Sequence, residues 1–462
     1  MLDETKAQQL FEKAKKFSTA DEVELLIGGG RSALTRFANN TIHQNVAEEN
    51  DFVSIRTNFG GRTARATTNK FDDDSIRRAV QEAEAISKVQ HPDAELLPLP
   101  EAPAAPKKDD GPSRWFEQTA KVTPEQRAQG VHGIVDAAKQ AGLTAAGIYS
   151  TSDSAEAIVN SRGLFAFHRQ TSAEVSITML GGDASGWQKF NSPNVADVKP
   201  LELAQVAARK ARESAGPREV EAGKYTVILE PAAVLDLVGF MFFDFGGQAV
   251  LDERSFLNNR IGKKLFGENI TVYDDVRHPL QSGATFDGEG MRRERVELIA
   301  KGVVKNLVYA RATAEKMKRS AHAQSVGEVR ATGHGFPLPN EMGEAPMNIV
   351  FGRPAEGQGK TVEQMVAETE RGIWVTRLWY IREVDPYEKI LTGMTRDCTL
   401  LVENGKVRHG LRNFRFNQSL IEMLNHVEAM SEPVRSSGEE SFDMVVPAMK
   451  VKDFNFTEVT KF

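Results

Sequence analysis

The stretch DFVSIRTNFGGRTARATTN, residues 51–69, holds two β-type runs that meet at Gly60-Gly61. A glycine pair suits a type I′ hairpin, because both central residues of that turn need positive φ. Upstream lie VELLIGG, SALTRFANN and TIHQNVAEEN, which read as further short strands, with Asn39-Asn40 as a second hairpin connection. Leu2 to Phe17 reads as a short amphipathic helix. Asp72 to Lys88 reads as another, an acidic cap followed by Ile76, Ala79, Val80, Ala83 and Ile86 at helical spacing. The pattern then returns. A helix opening on Thr123-Pro124 and ending near Ala141 precedes AAGIYSTS, AEAIVNSRG, LFAFHRQT, SAEVSITMLGG and ASGWQKFN, with Gly181-Gly182 in the place of Gly60-Gly61. A helix from Pro200 to Ala215 closes the second unit. This repetition implies an internal duplication of a sheet-plus-helix unit within residues 1–216, with halves at about 18–88 and 123–216. Between them, residues 89–114 carry the six prolines of the stretch His91–Pro112 and imply an extended, poorly packed linker.

From residue 217 to 462 the pattern changes. YTVILEP reads as a strand and Ala232 to Leu251 as an apolar helix. NITVYDD, RVELIAKGVVKNLVYA, MNIVFG, GIWVTRLWYIREVD and CTLLVENGKVRHGLR read as short strands between Gly, Asn and Pro turns. Ser419 to Met430 reads as a late helix and DMVVPAMKVKDFNFT as a closing strand. The expected fold class is therefore α+β, a duplicated N-terminal sheet-plus-helix domain followed by a mainly antiparallel β domain.

The chain has 462 residues, 26% charged and 40% hydrophobic, with a net charge of -6. An acidic balance without a Lys/Arg run argues against nucleic-acid binding, which needs a concentrated basic surface. A single cysteine, Cys398, excludes an intrachain disulfide and a cysteine-rich metal site. The charged N-terminal segment is unlike a signal peptide, and Asp236 and Asp244 interrupt the most apolar stretch, so no membrane span is expected. A cytoplasmic protein is the expectation.

Several segments, taken in order, resemble the TldD/PmbA ("modulator of DNA gyrase") family. They are LTRFANNTIHQN near the N-terminus, then RSFLNNRIGKKLFGENITVYDD, FDGEGMRRERVELIAKGVVKNLVY and LTGMTRDCTLLVENGKV. The resemblance runs from about Glu22 to Phe456. It implies that TldD-type members are zinc peptidases carrying a His-Glu-x-x-x-His helix and a later cysteine ligand. In such a site two imidazoles on one helical face hold the ion and the glutamate activates its water. The corresponding stretch here, LDLVGFMFFDFGGQAVLDERSF (residues 235–256), contains no histidine, and EPVRSSGEESFDMVVPA further on contains no cysteine. The resemblance therefore points to the PmbA/TldE-like branch, with no metal and no other cofactor expected.

Three other groups carry chemistry. WVTRLWYIR (residues 374–382) places Trp374, Arg377, Trp379, Tyr380 and Arg382 on one strand. If it alternates regularly, Trp374, Thr376, Leu378 and Tyr380 face one way and Val375, Arg377, Trp379 and Ile381 the other. Such a strand could line a groove and offer its edge to an extended peptide, or be a buried central strand with Arg377 paired to a carboxylate. Asp287 and Glu289 lie in a glycine-punctuated loop and could bind a cation, or cap the turn and pair with nearby arginines. Among the nine histidines, His322 and His334 are the least improbable pair for a displaced site, and Ser255 has no evident base. The functional expectation is a non-catalytic subunit that binds unfolded peptides and completes a TldD-type metallopeptidase, with a catalytic zinc-carrying partner or a second copy of itself. The alternatives are a peptidase using His322 or His334 with Asp287 or Glu289, and a stand-alone peptide-binding protein.

Overall fold

In the computed structural model, which describes residues 2–102 and 111–460, both anticipated hairpins form. Asn39 and Asn40 sit at φ 51° and 58°, Gly60 and Gly61 at 54° and 84°. The strands they join are longer than the sequence suggested. Helix α1 (Glu4–Phe17) leads into β1 (Glu22–Ala38), β2 (Thr41–Phe59), β3 (Arg62–Thr68) and helix α2 (Asp73–Val89). VELLIGG and SALTRFA are thus one 17-residue strand, and TIHQNVAEEN and DFVSIRTNF one of 19 residues. Gly28–Gly30 do not break β1, because its neighbours use the missing side chains. A Cβ on Gly28 would lie 2.3 Å from the Phe52 ring, and one on Gly30 would lie 2.7 Å from the Asp153 carbonyl.

The second unit repeats this plan. A short helix α3 (Glu117–Ala120) precedes α4 (Pro124–Gln140), β4 (Thr144–Asn160), β5 (Phe165–Gly181), β6 (Ala184–Ser192) and α5 (Pro200–Glu213). Thr123 caps α4 in a full capping box with Gln126. The β5–β6 turn falls on Gly182 and Asp183, one residue later than the glycine pair implied, with Gly182 at φ 60°. All six strands form one sheet in the order β3-β2-β1-β4-β5-β6, joined by antiparallel pairing of β1 with β4 from Glu24↔Asn160 to Phe37↔Gly147.

The rest of the chain runs β7 (Lys224–Leu229), α6 (Pro231–Val238), a 3₁₀ segment (Gly239–Phe245) and α7 (Gly247–Leu251). It continues with β8 (Val272–Asp274), β9 (Val296–Ala300), β10 (Val303–Val304), α8 (Arg311–Arg319), β11 (Ile349–Phe351), α9 (Val362–Ala367) and β12 (Arg371–Asp385). The last elements are β13 (Ile390–Glu403), β14 (Lys406–Leu411), β15 (Phe414–Ser419), α10 (Leu420–Asn425), β16 (Val427–Met430), β17 (Val434–Ser436), β18 (Met444–Val446) and β19 (Met449–Val459). The fold class is α+β, as expected. Strands β12, β7, β19, β15 and β13 close into a ring, since β12 also pairs β13, with β14 added on β13 and β16 on β19; the remaining strands of this half form a sheet ordered β10-β9-β8-β11-β18-β17. Among the strand pairs of the described residues, only β12–β7 and β11–β18 are parallel.

Two expectations need correction. The apolar stretch 232–251 is not one helix. It breaks at Gly239, where a Cβ would meet the Ser441 side chain at 1.9 Å, and at Gly246, whose backbone is extended. The helix expected over 419–430 ends at Asn425, and Val427–Met430 pairs with β19 instead. Among the described residues no helix is long and apolar enough to cross a membrane.

The linker is better anchored than its composition suggested. Leu99 is buried, the Asn160 amide donates to the Pro100 carbonyl at 2.8 Å, and the Asp93 amide donates to Gly61 at 2.9 Å. Residues 103–110 of the expected linker lie outside the described residues. At its far end the buried Arg114 donates to the carbonyls of Val276, His278 and Pro279 at 2.9–3.1 Å. A guanidinium that satisfies three carbonyls ties the N-terminal sheet to the C-terminal half. Arg114→Ala should lower unfolding free energy by about 2–4 kcal/mol, since charged hydrogen bonds contribute roughly 1.5–3 kcal/mol and the carbonyls lose their donor. Urea denaturation of both proteins measures this; an unchanged midpoint contradicts it.

Candidate functional site

The broken apolar stretch packs as core: α6 and the 3₁₀ segment bury Val234, Leu235, Leu237, Val238, Phe242 and Phe245 in the largest cluster. Its two carboxylates are engaged from within the chain. Asp236 Oδ1 accepts the amides of Glu439 and Glu440 at 3.1 and 3.0 Å, and Gly438 packs so closely that a Cβ there would lie 2.1 Å from that oxygen. Asp236 Oδ2 is enclosed, with no hydrogen-bond partner among the described residues. Burial pushes this carboxyl up to about 7 against the pull of the two amides, so the proton belongs on Oδ2. Asp244 meets the ammonium of Lys389 at 2.6 Å, and Lys389 also reaches Glu383 at 2.7 Å. The Lys389 side chain is only 3% exposed. Burial raises Asp244 above its ordinary value while Lys389 opposes the rise. Ser255 is spent in a turn, donating to the Asp244 carbonyl at 2.8 Å and accepting the Leu257 amide at 3.0 Å.

Strand β12 departs from the regular alternation because its register against β13 slips three times, the last between Glu383 and Asp385. Register slips between Val375 and Arg377, opposite Asp397 and Cys398 at φ 50° and 83°, and again between Trp379 and Arg382, around Tyr380 at φ 56°. As a result Val375, Leu378 and Ile381, every third residue, enter the main core, while Trp374 joins Cys398 and Leu400 in a separate cluster. Arg377 is 6% exposed; its Nε lies 3.2 Å from Asp397 and its guanidinium sits over the rings of Trp187 and Trp379. Arg396 covers Trp379 at 4.3 Å, extending the cation–π stack. Trp374 Nε1 donates to Glu230, which pairs with the buried Lys210 at 2.7 Å. Tyr380 is 54% exposed, its amide bonds Glu440 at 2.6 Å, and Arg382 stacks on its ring. The candidate strand thus divides: Trp374 and Arg377 are enclosed, whereas Trp379, Tyr380 and Arg382 reach the surface beside the Gly438–Glu440 segment.

The acidic loop lies where the two halves meet. Asp287 accepts the amides of Glu289, Met291 and Gly335 at 2.9, 2.9 and 2.7 Å. Glu289 accepts the Arg311 amide at 3.0 Å. Burial raises both carboxyls; Arg293 and three amides draw Asp287 back, whereas the Asp287 charge adds to the burial that lifts Glu289 to about 7. His334 follows the same loop but is fully enclosed, with Nε2 3.1 Å from Asp274 and Nδ1 3.0 Å from the Thr332 hydroxyl. His322 belongs to a separate turn near Ser325. Among the described residues no three His, Cys, Asp or Glu side chains are gathered to hold a metal ion.

One cleft adjoins the loop and a second adjoins that cleft. The first, of about 460 Å³, lies between Leu26 and Ile158 of the sheet and Phe286, Asp287 and Phe336 of the C-terminal half. The other, of about 400 Å³, runs over Gly28–Gly30 and shares Phe52 and Glu156 with the first. Sequence reasoning missed Phe52 and these glycines, although three consecutive glycines inside a β run were the signal. It also missed Lys389, which no local pattern marks.

The comparisons with known proteins bear on this arrangement. The PmbA/TldA metallopeptidase domain 1 matches residues 23–87, the central domain matches 119–215 and the C-terminal domain matches 222–458. The chain belongs to the PmbA/TldD family. Within the family, metalloprotease PmbA of Escherichia coli O157:H7 is 22% identical over 458 residues, covering 95% of this chain and 94% of that protein. An uncharacterized protein of Methanocaldococcus jannaschii is 24% identical over 263 residues, 56% of this chain and 59% of its own length. The crystal structure of TldE from Thermococcus kodakarensis superposes with a TM-score of 0.83 at 20% identity, covering 98% of this chain and all of that one. At that identity the likeness establishes the shared fold.

Two predictions follow from the buried charges of this family member. Lys389→Met leaves Asp244 and Glu383 without their cation and should destabilise the protein by about 3–5 kcal/mol, the usual cost of breaking a buried pair. The double variant Lys389→Met/Asp244→Leu should recover part of that loss in denaturant titrations; equal losses would count against the pairing. Asp236 titrates near 7 in the fold against 3.8 when free, so the folded chain holds the extra proton between those values. Its stabilising contribution is complete below the lower value and disappears as pH rises through about 7. Asp236→Asn, whose carbonyl can still accept both amides, should therefore flatten the decline of Tm from about pH 5 to about pH 8. Parallel slopes for variant and parent would refute the assignment.

Proposed function

We propose that this chain is a non-catalytic, metal-free subunit of the PmbA/TldE type that binds unfolded peptides in the cytoplasm and completes a TldD-type metallopeptidase. The observation that carries the proposal is the Asp244–Lys389 contact of 2.6 Å. In the stretch where the family resemblance expects metal ligands, the carboxylate is neutralised by the chain's own ammonium, and no imidazole or thiolate stands beside it. A lone carboxylate already paired to lysine is a poor zinc donor set, because zinc favours several N or S ligands at once. The residues present do not fit the ion. No hydrolytic step is therefore assigned to this chain, and the catalytic zinc belongs to a partner subunit.

Peptide handling is supported by the surface half of β12. Among the described residues, β12 beyond Val375 has a strand partner, β13, on one side only, and Trp379, Tyr380 and Arg382 flank the other side, where the Glu440 side chain holds the Tyr380 amide. An open edge offers main-chain hydrogen bonds to an extended chain without regard to its sequence, which suits unfolded substrates.

The test is metal content and proteolysis measured together. The purified chain should contain substoichiometric zinc by mass spectrometry and leave reduced, unfolded casein intact. Addition of a family member that carries His-Glu-x-x-x-His should produce cleavage above that of the added protein alone. Stoichiometric zinc accompanied by casein cleavage in the isolated chain would overturn the proposal.

A further inference from the structure

The cleft between the N-terminal sheet and the C-terminal half is walled mostly by apolar groups. Leu26 and Ile158 line it from the sheet, Phe286, Phe336 and Met347 from the other side, and Phe52, 45% exposed, is shared with the second cleft. Its volume of about 460 Å³ falls among small-ligand sites, which span roughly 300–1,000 Å³. Two charged groups on these walls lack a counterpart. Arg293 lines the C-terminal wall. Its Nε donates to the Phe286 carbonyl at 3.3 Å, while Nη1 is enclosed with no hydrogen-bond partner among the described residues. The nearby carboxylates feel its charge but are engaged elsewhere. Asp287 accepts three amides, and Asp274 accepts the Asn348 amide at 2.7 Å and faces His334 at 3.1 Å. Glu156 lines the sheet wall and is exposed, and its carboxylate forms no hydrogen bond or ion pair among the described residues.

These groups say what fits. An enclosed guanidinium N–H without an acceptor has lost its water and gained nothing in return, and a planar carboxylate is the acceptor that suits its fork best. The Arg293 wall therefore suits a carboxylate, Glu156 a cation, and the remaining walls an apolar body. A fatty acid supplies the first and the last but no cation. The interior of a polypeptide chain supplies neither terminal charge. A peptide of a few apolar residues with both ends free supplies all three. We propose that this cleft binds short apolar peptides by their ends, the carboxylate on Arg293 and the ammonium at Glu156, with Phe52 and Phe286 packing against their side chains. Such ligands differ from the unfolded chains assigned to β12, and no residue of that strand lines the cleft.

Isothermal titration calorimetry of the full chain with the dipeptide leucyl-phenylalanine should show saturable binding with a Kd of about 1 mM or tighter. Amidating the dipeptide's carboxyl end removes the charge that Arg293 meets and should weaken binding about tenfold or more. Acetylating its amino end should weaken binding as well, and decanoate, which has no ammonium, should bind more weakly than the dipeptide. Glu156 is exposed, so Glu156→Gln leaves the fold intact. That variant should cease to distinguish the acetylated peptide from the free one while still rejecting the amide. Arg293→Gln should show the reverse, and the ligand series with Glu156→Gln decides the matter even where Arg293→Gln fails to fold. Absence of binding by the dipeptide, equal affinity for acid and amide, or decanoate binding as tightly as the dipeptide overturns the proposal. So does a Glu156→Gln chain that still rejects the acetylated peptide. None of these measurements involves zinc, casein or a partner chain, so their failure is separate from failure of the subunit reading.

Discussion

The pairing of β1 with β4 is the constraint on which the remaining architecture rests. It runs from Glu24↔Asn160 to Phe37↔Gly147 and makes one sheet of two repeats. Neither repeat closes a core alone. Ala155, Ala157 and Val159 of β4 pack with α1 and α2 of the first repeat, and Phe37 of β1 packs with α4 and α5 of the second. Side chains lent across the seam make the halves mutually dependent, so the duplication in sequence is not a duplication of independent units.

On this platform the C-terminal half docks through charged and apolar contacts together. Arg65 bridges Glu24 and the Leu338 carbonyl, Arg435 binds Asn191 and Asp443, and Phe286 packs with Ile158 and Leu164. The buried polar groups behind these contacts are almost all answered by other parts of the chain. Asp236 holds a loop, Asp244 holds a lysine, and Asp287 holds three amides. Carboxylates engaged in this way specify geometry and are not available to a reacting group. Stability and chemistry compete for the same oxygens, and here stability has them.

Local chemistry explains why much of this was legible in the sequence. Asn39-Asn40, Gly60-Gly61 and the Thr123-Pro124 cap each act over a few residues, so their turn and cap geometry follows from composition alone. The family resemblance, carried by ordered segments, agrees with the three matched domains. What escaped depended on contacts distant in the chain. Gly28–Gly30 read as a strand break because Phe52, which fills the space they leave, is known only once the hairpin has closed. The alternation of WVTRLWYIR failed because the bulges that displace Val375, Leu378 and Ile381 arise in part from Asp397 and Cys398 on the neighbouring strand. Lys389 carries no motif, and its role appears only when it reaches Asp244 from far along the chain.

The closed ring has a consequence for how the molecule is made. Strand β7 enters early, yet both of its neighbours, β12 and β19, come from much later in the chain, and β19 is the last of the ordered elements. During synthesis β7 therefore waits with both edges bare and with the apolar α6 beside it, until nearly the whole chain has left the ribosome. Pairings so distant in sequence form slowly, because the intervening loop must close before any contact rewards it. The N-terminal sheet can assemble while this happens. The C-terminal half remains exposed to mispairing throughout that interval, and chaperone dependence would concentrate there.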